Sequence, residues 1–442
     1  MNDPESRKLE IPFTRHILPN GLQVVVHEDH DCPLAAVNIW YHVGSKNEVP
    51  GRTGFAHLFE HLMFEPAKHF GATYFEILQR AGGQINGSTN TDRTNYWALV
   101  PAPALDLALW MEADRMGHML PSLTDESFET QRGVVLNERR QNYENRPYGL
   151  APVALAAGLY PPDHPYHWIT IGAAEDIASA TIGDVRDFFR RFYHPANASL
   201  TVAGDVDPGA VIRLAEEYFL GCPAGDRVTR VEPAPAAAPA SRRVMEDTVE
   251  LPRLYLASLT PAMFDASDAE LDLAAVILTG GKPSRLYRRL VYEERIATAV
   301  SASQNSRELG SHFVVTATAV PGVPLGRLEE AVSGELAALA REGPTPDELA
   351  RALALTETSF VSRLEQIGGF GGRADQLNSY NVLLGDPGSF ARDLDRYRLA
   401  SADGVRSAVA RFLSPARRVV LSVVPAGRAD LAAPDSAPLV VS

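Results

Sequence analysis

The order of secondary-structure elements starts again after a Pro/Ala-rich stretch, and that repetition constrains the fold more than any other feature. Ahead of the stretch, Asn20-Gly21 signals a hairpin turn, and apolar periodicity predicts strands over 22–27 and 35–41. A short helix over 73–81 ends at Gly82-Gly83, and two strands within 84–100 meet at the polar Asn90-Thr91-Asp92 turn. Periodic helices follow over 102–119, 124–145 and 182–192, then a strand over 198–203 and a helix over 209–219. Beyond Glu232-Pro-Ala-Pro-Ala-Ala-Ala-Pro-Ala-Ser241 the series resumes with a strand over 253–259 and helices over 268–279 and 284–294. Strands over 298–306 and 311–319, helices over 325–342, 346–364 and 401–413, and a strand over 418–424 complete it. Both halves run β, α, β-β, long α, β. This is the signature of a duplicated α+β unit: residues 1–222 and 244–442, tied by a Pro-stiffened linker over 223–243.

Composition bounds what such a chain can do. Its 442 residues suggest two to four domains at about 150 residues each, long enough for several cores without staples. A formal net charge of −14 argues against nucleic-acid binding, which draws its affinity from clustered Lys and Arg. Only Cys32 and Cys222 are present, so there is neither a disulfide framework nor a cysteine-type zinc site. No run of 18 apolar residues exists, so no membrane span is expected. The polar start Met1-Asn-Asp-Pro-Glu-Ser-Arg-Lys has no apolar core of a signal peptide, which favours the cytoplasm; removal of a leader would instead allow the periplasm.

The chemistry-bearing stretch is Gly54-Phe-Ala-His-Leu-Phe-Glu-His-Leu-Met-Phe64. On a helix, His57 and His61 stand one turn apart on one face, and Glu60 borders it. Two imidazoles so placed suit Zn²⁺, which takes nitrogen ligands at about 2.0–2.1 Å and leaves room for others. Leu58, Phe59, Leu62 and Met63 would bury the rest of the helix, and Thr53 is a plausible N-cap. Twelve histidines will sometimes fall four apart by chance. The glutamate inside the pair, the apolar flanks and the inversion of the His-Glu-x-x-His zinc helix argue against chance here.

A hydrolytic zinc site needs a third protein ligand. Glu138, on the helix over 124–145, follows Val134, Val135 and Leu136 and so emerges beside an apolar face. A carboxylate there is costly unless paired or metal-bound. Without the upstream motif, a solvated glutamate beside Arg139 and Arg140 would be the preferred reading.

His57-x-x-Glu60-His61 followed by Glu138 resembles the insulinase/pitrilysin family of inverted zinc peptidases. Leu18-Pro-Asn-Gly-Leu22, Gly44-Ser45, Asn95-Tyr96, Arg132-Gly-Val-Val135 and Tyr193-His-Pro-Ala-Asn197 carry the likeness through the first half. Ser284-Arg-Leu286 and Phe370-Gly-Gly-Arg-Ala-Asp-Gln-Leu-Asn378 carry it more loosely through the second. The two-half length is similar to the bacterial relatives of mitochondrial processing peptidase. The resemblance implies mostly antiparallel sheets packed with helices in both halves, closing as a clam-shell when dimerised. It implies a catalytic N-terminal half holding one Zn²⁺ on His57, His61 and Glu138, and a C-terminal half without metal that completes the substrate chamber. Glu60 would then act as the general base that relays the water proton to the leaving amine. Asn86-Gly87-Ser88 would dock the substrate main chain by strand addition, although the same residues also read as an ordinary sheet strand.

Two departures stand out. Where relatives carry a second glutamate seven residues before the ligand, this chain has Gln131, which would act from the outer shell of the site. Where single-chain relatives carry an Arg and a Tyr that hold the substrate carbonyl, the alignment gives Val291 and Thr298; Arg285, Arg288 or Tyr292 are alternative matches. Losing one such donor costs on the order of 10²–10³ in rate. The resemblance therefore implies a homologous second subunit supplying the pair, in a heterodimer or heterotetramer, with a homodimer as the other arrangement. The Gly368-Gly-Phe-Gly-Gly372 loop reads as a cap and link between two helices. The competing functional classes are a non-catalytic scaffold of the same fold and a zinc hydrolase of non-peptide substrates.

Overall fold

The computed structural model describes residues 9–232 and 240–441; the centre of the expected linker, 233–239, lies outside the described residues. Two mixed, mostly antiparallel sheets of six strands form the framework. The first holds β1 (Thr14–Ile17), β2 (Gln23–Glu28), β3 (Leu34–Tyr41), β4 (Gln84–Thr89), β5 (Thr94–Pro101) and β6 (Ala198–Gly204) in the order β1-β2-β6-β3-β5-β4. The second holds β7 (Ser241–Asp247), β8 (Arg253–Thr260), β9 (Ala297–Asn305), β10 (Ser311–Ala319), β11 (Arg418–Pro425) and β12 (Ala437–Pro438) in the order β12-β7-β11-β8-β10-β9. The run β2-β6-β3-β5-β4 matches β7-β11-β8-β10-β9 ladder for ladder. Each opens on a parallel pair and continues antiparallel. The duplication read from the order of elements is present at the level of hydrogen-bonded register.

The helices of the first half are α1 (Phe55–Leu62), α2 (Tyr74–Arg80), α3 (Leu105–His118), α4 (Asp125–Arg139), α5 (Ala151–Leu159), α6 (Ala174–Ser179), α7 (Ile182–Phe192) and α8 (Pro208–Phe219). Those of the second are α9 (Asp268–Thr279), α10 (Leu325–Glu342), α11 (Pro346–Arg363), α12 (Arg373–Leu384), α13 (Phe390–Arg398) and α14 (Ala402–Phe412). Three details depart from the sequence expectation. The helix over 124–145 leaves α geometry after Arg139 and runs as a π-turn over Arg140–Glu144. The helix over 284–294 is largely π-wound, over Tyr287–Glu293. The expected linker also runs into a strand. Ser241-Arg242-Arg243 already belongs to β7, whose polar start hides a strand that pairs with β11 inside the sheet.

The compact units cross the boundaries at 222 and 244. One unit consists of residues up to Asn137, Thr170–Val231 and Phe360–Leu394; the other takes Glu138–Ile169 and the remaining described residues. Thus α12 lies across β6, β3 and β2, and α5 across β11 and β8. The division passes through the last turn of α4, which is one continuous helix from Asp125 to Arg139.

Both exchanged helices follow from their side chains. Ala151, Ala154, Leu155 and Leu159 of α5 share a core with Ala257, Val419 and Leu421. The helix is apolar all round, but it is covered mainly on that face, and Pro152 and Ala157 stay exposed. By contrast, α12 turns polar residues inward. Asp375 Oδ1 accepts from Trp40 Nε1 at 2.8 Å and Asn95 Nδ2 at 3.0 Å, and its Oδ2 accepts from the Gly371 amide at 2.8 Å. Asn378 accepts from Ser199 and Thr201 and donates to Asn38. Buried polar groups are tolerated when satisfied, and Asp375 and Asn378 find partners on the sheet. The glycine loop over 368–372 links α11 to α12, as its composition suggested.

Candidate metal centre

Helix α1 is short and carries its function in its middle turn, so its ends must be fixed. Its N-terminus opens on Gly54 at φ +87°, where an added Cβ would meet the Ile171 carbonyl at 2.8 Å. Glu48, itself buried, accepts the Gly54 amide at 3.0 Å and the Ala56 amide at 2.8 Å. A carboxylate on the first free N–H groups caps the helix and opposes the positive end of its dipole. Thr53 is not the cap expected from sequence. Its amide and hydroxyl both donate to Asp176, at 2.9 and 2.6 Å, and so pin the incoming loop instead.

At the other end Arg115 donates to the Met63 carbonyl at 3.4 Å, placing a cation at the negative end of the dipole. Arg115 is fully buried, bound to Glu112 at 2.8 and 2.5 Å and stacked over Tyr74 and Tyr96 at 4.2 Å each. Burial works against its charge, but Glu112 and the surrounding tyrosines outweigh it and hold the guanidinium pKa above its ordinary value. Glu112 in turn accepts from the Tyr74 hydroxyl at 2.6 Å. The apolar face of α1 is covered as expected: Leu58, Phe59, Leu62 and Met63 are buried, and Phe59 packs on Phe188, Phe189 and Tyr193. Burying one such phenylalanine contributes about 1.5–3 kcal/mol.

This anchoring leaves His57, Glu60 and His61 half-buried on the remaining edge. The two imidazoles lie 4.8 Å apart between ring centroids, inclined at 80°. Glu138 stands in the last turn of α4, just before the π-turn, and is also half-buried. One ligand atom from each of His57, His61 and Glu138 lies within 4.8 Å of the others. Of the apolar neighbours expected beside Glu138, Val135 is buried, but Val134 is exposed. Asn142, from the π-turn, donates to Glu138 Oε1 at 3.3 Å. The Tyr143 hydroxyl pKa is pushed up by burial first and by the Glu138 charge second.

Gln131, two turns before Glu138, donates to Glu65 Oε1 at 2.5 Å, which ties α4 to the chain leaving α1. Asn86, Gly87 and Ser88 lie on β4, the edge strand of the first sheet. Asn86 is exposed, while a Cβ on Gly87 would press on Phe64 and Tyr96 at 3.0 Å. Of the alternative clamp residues, Arg285 is the one firmly committed elsewhere. Arg285 makes paired bonds to Glu348 at 2.7 and 2.6 Å and holds that carboxyl down at about 2; Arg288 pairs with Glu293, and Tyr292 is exposed. Val291 is half-buried, and Thr298 Oγ1 donates to the Thr318 carbonyl at 3.2 Å.

Four residues with a stake in this site had no signal in sequence: Glu48, Glu65, Arg93 and Arg115. Arg93 is half-buried over the Trp40 ring and donates to the Ser88 carbonyl and hydroxyl, both at 2.6 Å. Burial lowers its pKa, and the charges of Asp375, Glu60 and Asp92 oppose that fall. It therefore links the edge strand to the field around Glu60.

Residues 23–160 match the family profile described as insulinase, peptidase family M16, and residues 179–355 match that of the peptidase M16 inactive domain. The zinc protease PqqE of Helicobacter pylori is 32% identical over 356 residues, covering 79% of this chain and 79% of that protein. The chain belongs to the insulinase family, peptidase family M16. A solved M16-like structure, described as a protease from Helicobacter pylori, superimposes with a TM-score of 0.87 at 28% identity, over 94% of this chain and all of the other. The mitochondrial-processing peptidase subunit beta of Caenorhabditis elegans is 24% identical over 315 residues, 67% of this chain and 66% of that one. The insulinase-family match contains His57, Glu60, His61 and Glu138. Among the described residues no helix is long and apolar enough to cross a membrane.

Proposed function

We propose that this insulinase-family chain is a zinc-dependent endopeptidase that cleaves peptides or unfolded segments. The observation that carries the reading is the convergence of His57, His61 and Glu138 ligand atoms within 4.8 Å, with Glu60 on the same helical turn as the histidines. Two imidazole nitrogens and one carboxylate oxygen are a donor set that zinc accepts, and their partial exposure leaves a coordination position open to water. Bound there, zinc would supply an acidified water and polarise the scissile carbonyl. Glu60 takes a proton from the attacking water and returns it to the departing amine nitrogen. Gln131, held by Glu65, steadies α4 behind Glu138 from outside the ligand set.

Substrate main chain adds to the free edge of β4 at Asn86-Gly87-Ser88, where backbone hydrogen bonds give affinity with little demand on sequence. Arg93 stiffens that edge through the Ser88 carbonyl. A homologous second subunit supplies the Arg and Tyr that hold the substrate carbonyl. Val291 and Thr298 lack those donors, and Arg285 is committed to Glu348. The test is cleavage of a quenched peptide by zinc-loaded chain, alone and with candidate partners. Activity that needs zinc and rises on adding the partner supports both parts. Full activity of the chain alone refutes the split site, and no zinc-dependent cleavage in any combination refutes the peptidase.

A further inference from the structure

A second constellation of metal-binding side chains lies outside the site described above. Asp114 and His118 stand at i and i+4 in the last turn of α3, and His69 comes from the chain between α1 and α2. One ligand atom from each lies within 4.8 Å of the others. Among the described residues this is the one other such group besides His57, His61 and Glu138. The two share no residue, and their imidazole pairs have closely similar geometry. The rings of His69 and His118 are 5.1 Å apart at 83°, against 4.8 Å at 80° for His57 and His61.

The position is built before any ion arrives. The segment carrying His69 closes on itself through the Ala67–Phe70 bridge, and Phe70, buried, packs edge-on against Trp110 of α3 at 6.1 Å. Asp114 is buried, and its Oδ2 accepts the His69 amide at 3.1 Å. His69 Nδ1 and Asp114 Oδ1 are 2.5 Å apart, within hydrogen-bond distance. The C-terminal turn of α3 adds the negative end of a helix dipole, which favours a cation. His69 is exposed, so an ion can reach the group from solvent.

We infer that His69, Asp114 and His118 form an accessory site for a divalent transition-metal ion, zinc the first candidate, that braces the segment following α1 against α3. The donor set of two imidazoles and one carboxylate selects the later first-row ions over magnesium or calcium. Two ligands at about 2.0 Å from one tetrahedral ion stand about 3.3 Å apart. The ion therefore takes the place of the His69–Asp114 hydrogen bond and opens that pair by less than an ångström. Cys222 packs behind α3, but its thiol is pushed up to about 11, by burial first and the Asp114 charge second, so it remains protonated and outside the donor set. The bland alternative is a His69–Asp114 pair that merely fastens the segment. That pair has no use for His118, which is what separates the two.

The test does not rest on the peptidase reading, because it first removes that site. The full-length H57A/H61A chain is stripped with chelator, dialysed against micromolar zinc and assayed for bound metal and melting temperature. We expect about one zinc per chain and a zinc-dependent rise in melting temperature. Both are lost when His118→Leu is added, while the metal-free melting temperature stays that of H57A/H61A. If His118→Leu impairs folding, His69→Gln at the exposed position serves instead and should lose the same ion. Failure of H57A/H61A to hold zinc, or retention of its zinc after loss of His118 or His69, would overturn the site.

Discussion

Single side chains decide whether this molecule hydrolyses anything. Glu60 is assigned a proton-transfer role and no place among the ligands, so Glu60→Gln should leave zinc content unchanged. It should lower kcat by about 10²–10⁴-fold, the usual worth of a positioned acid–base. Steady-state cleavage with elemental analysis of the same sample checks both halves of that statement. His312 on β10 makes a different kind of residue-scale prediction. Its imidazole pKa is lowered to about 3, by burial first and by Arg307 second. The unfolded group takes a proton near 6.5 that the folded one refuses until about 3. Its contribution to stability is thus full above about pH 6.5 and is lost as pH falls towards 3, by up to about 1.4 kcal/mol per unit. Denaturant melts between pH 7 and 4 should show a shallower slope in His312→Gln. At this scale the candidate site was legible in part, because His57, Glu60 and His61 follow a helical spacing and do lie on one short helix. Arg115, Glu48 and the half-buried Arg93 were not, because a charge drawn out of solvent looks like any surface charge until its distant partner is known.

Elements show where pattern reading succeeds and why it stops. Strands that alternate or run apolar, such as β3, β6 and β11, and amphipathic helices such as α7 and α10 announced themselves through periodicity. Helix α12 did not, since its inward face carries Asp375, Asn378 and Asn381 and reverses the expected pattern. Nor did α5, which is apolar on every side, or β7, which starts with Ser-Arg-Arg. Two substitutions probe these elements. Arg115→Met strands the Glu112 carboxylate in a site with no solvent access, which should cost about 3–5 kcal/mol and loosen the end of α1. Asp375→Ala leaves the Trp40 indole, the Asn95 amide and the Gly371 amide without their acceptor and should cost about 3 kcal/mol. Chemical denaturation monitored by tryptophan fluorescence measures both; a loss below about 1 kcal/mol for Arg115→Met would deny it the anchoring role.

For the whole molecule, the repeated order of elements foretold two equivalent sheets, and the matched ladders bear that out. What the order could not convey is that α5 and α12 each pack on the sheet of the opposite half, because a swap of helices leaves no mark on local periodicity. The same duplication frames the functional proposal. In that proposal one half carries the candidate ligand set, while the segment aligned with the expected clamp carries Val291 and Thr298. Adding a homologous subunit with the missing Arg and Tyr should therefore raise kcat by on the order of 10²–10³.

The most direct measurement is anomalous diffraction at the zinc absorption edge from crystals of the zinc-loaded chain. We expect an ion bonded to His57, His61 and one carboxylate oxygen of Glu138 at about 2.0–2.2 Å. A zinc-loaded crystal with no ion at those three side chains, or one in which Glu138 turns away from both imidazoles, would contradict the assignment.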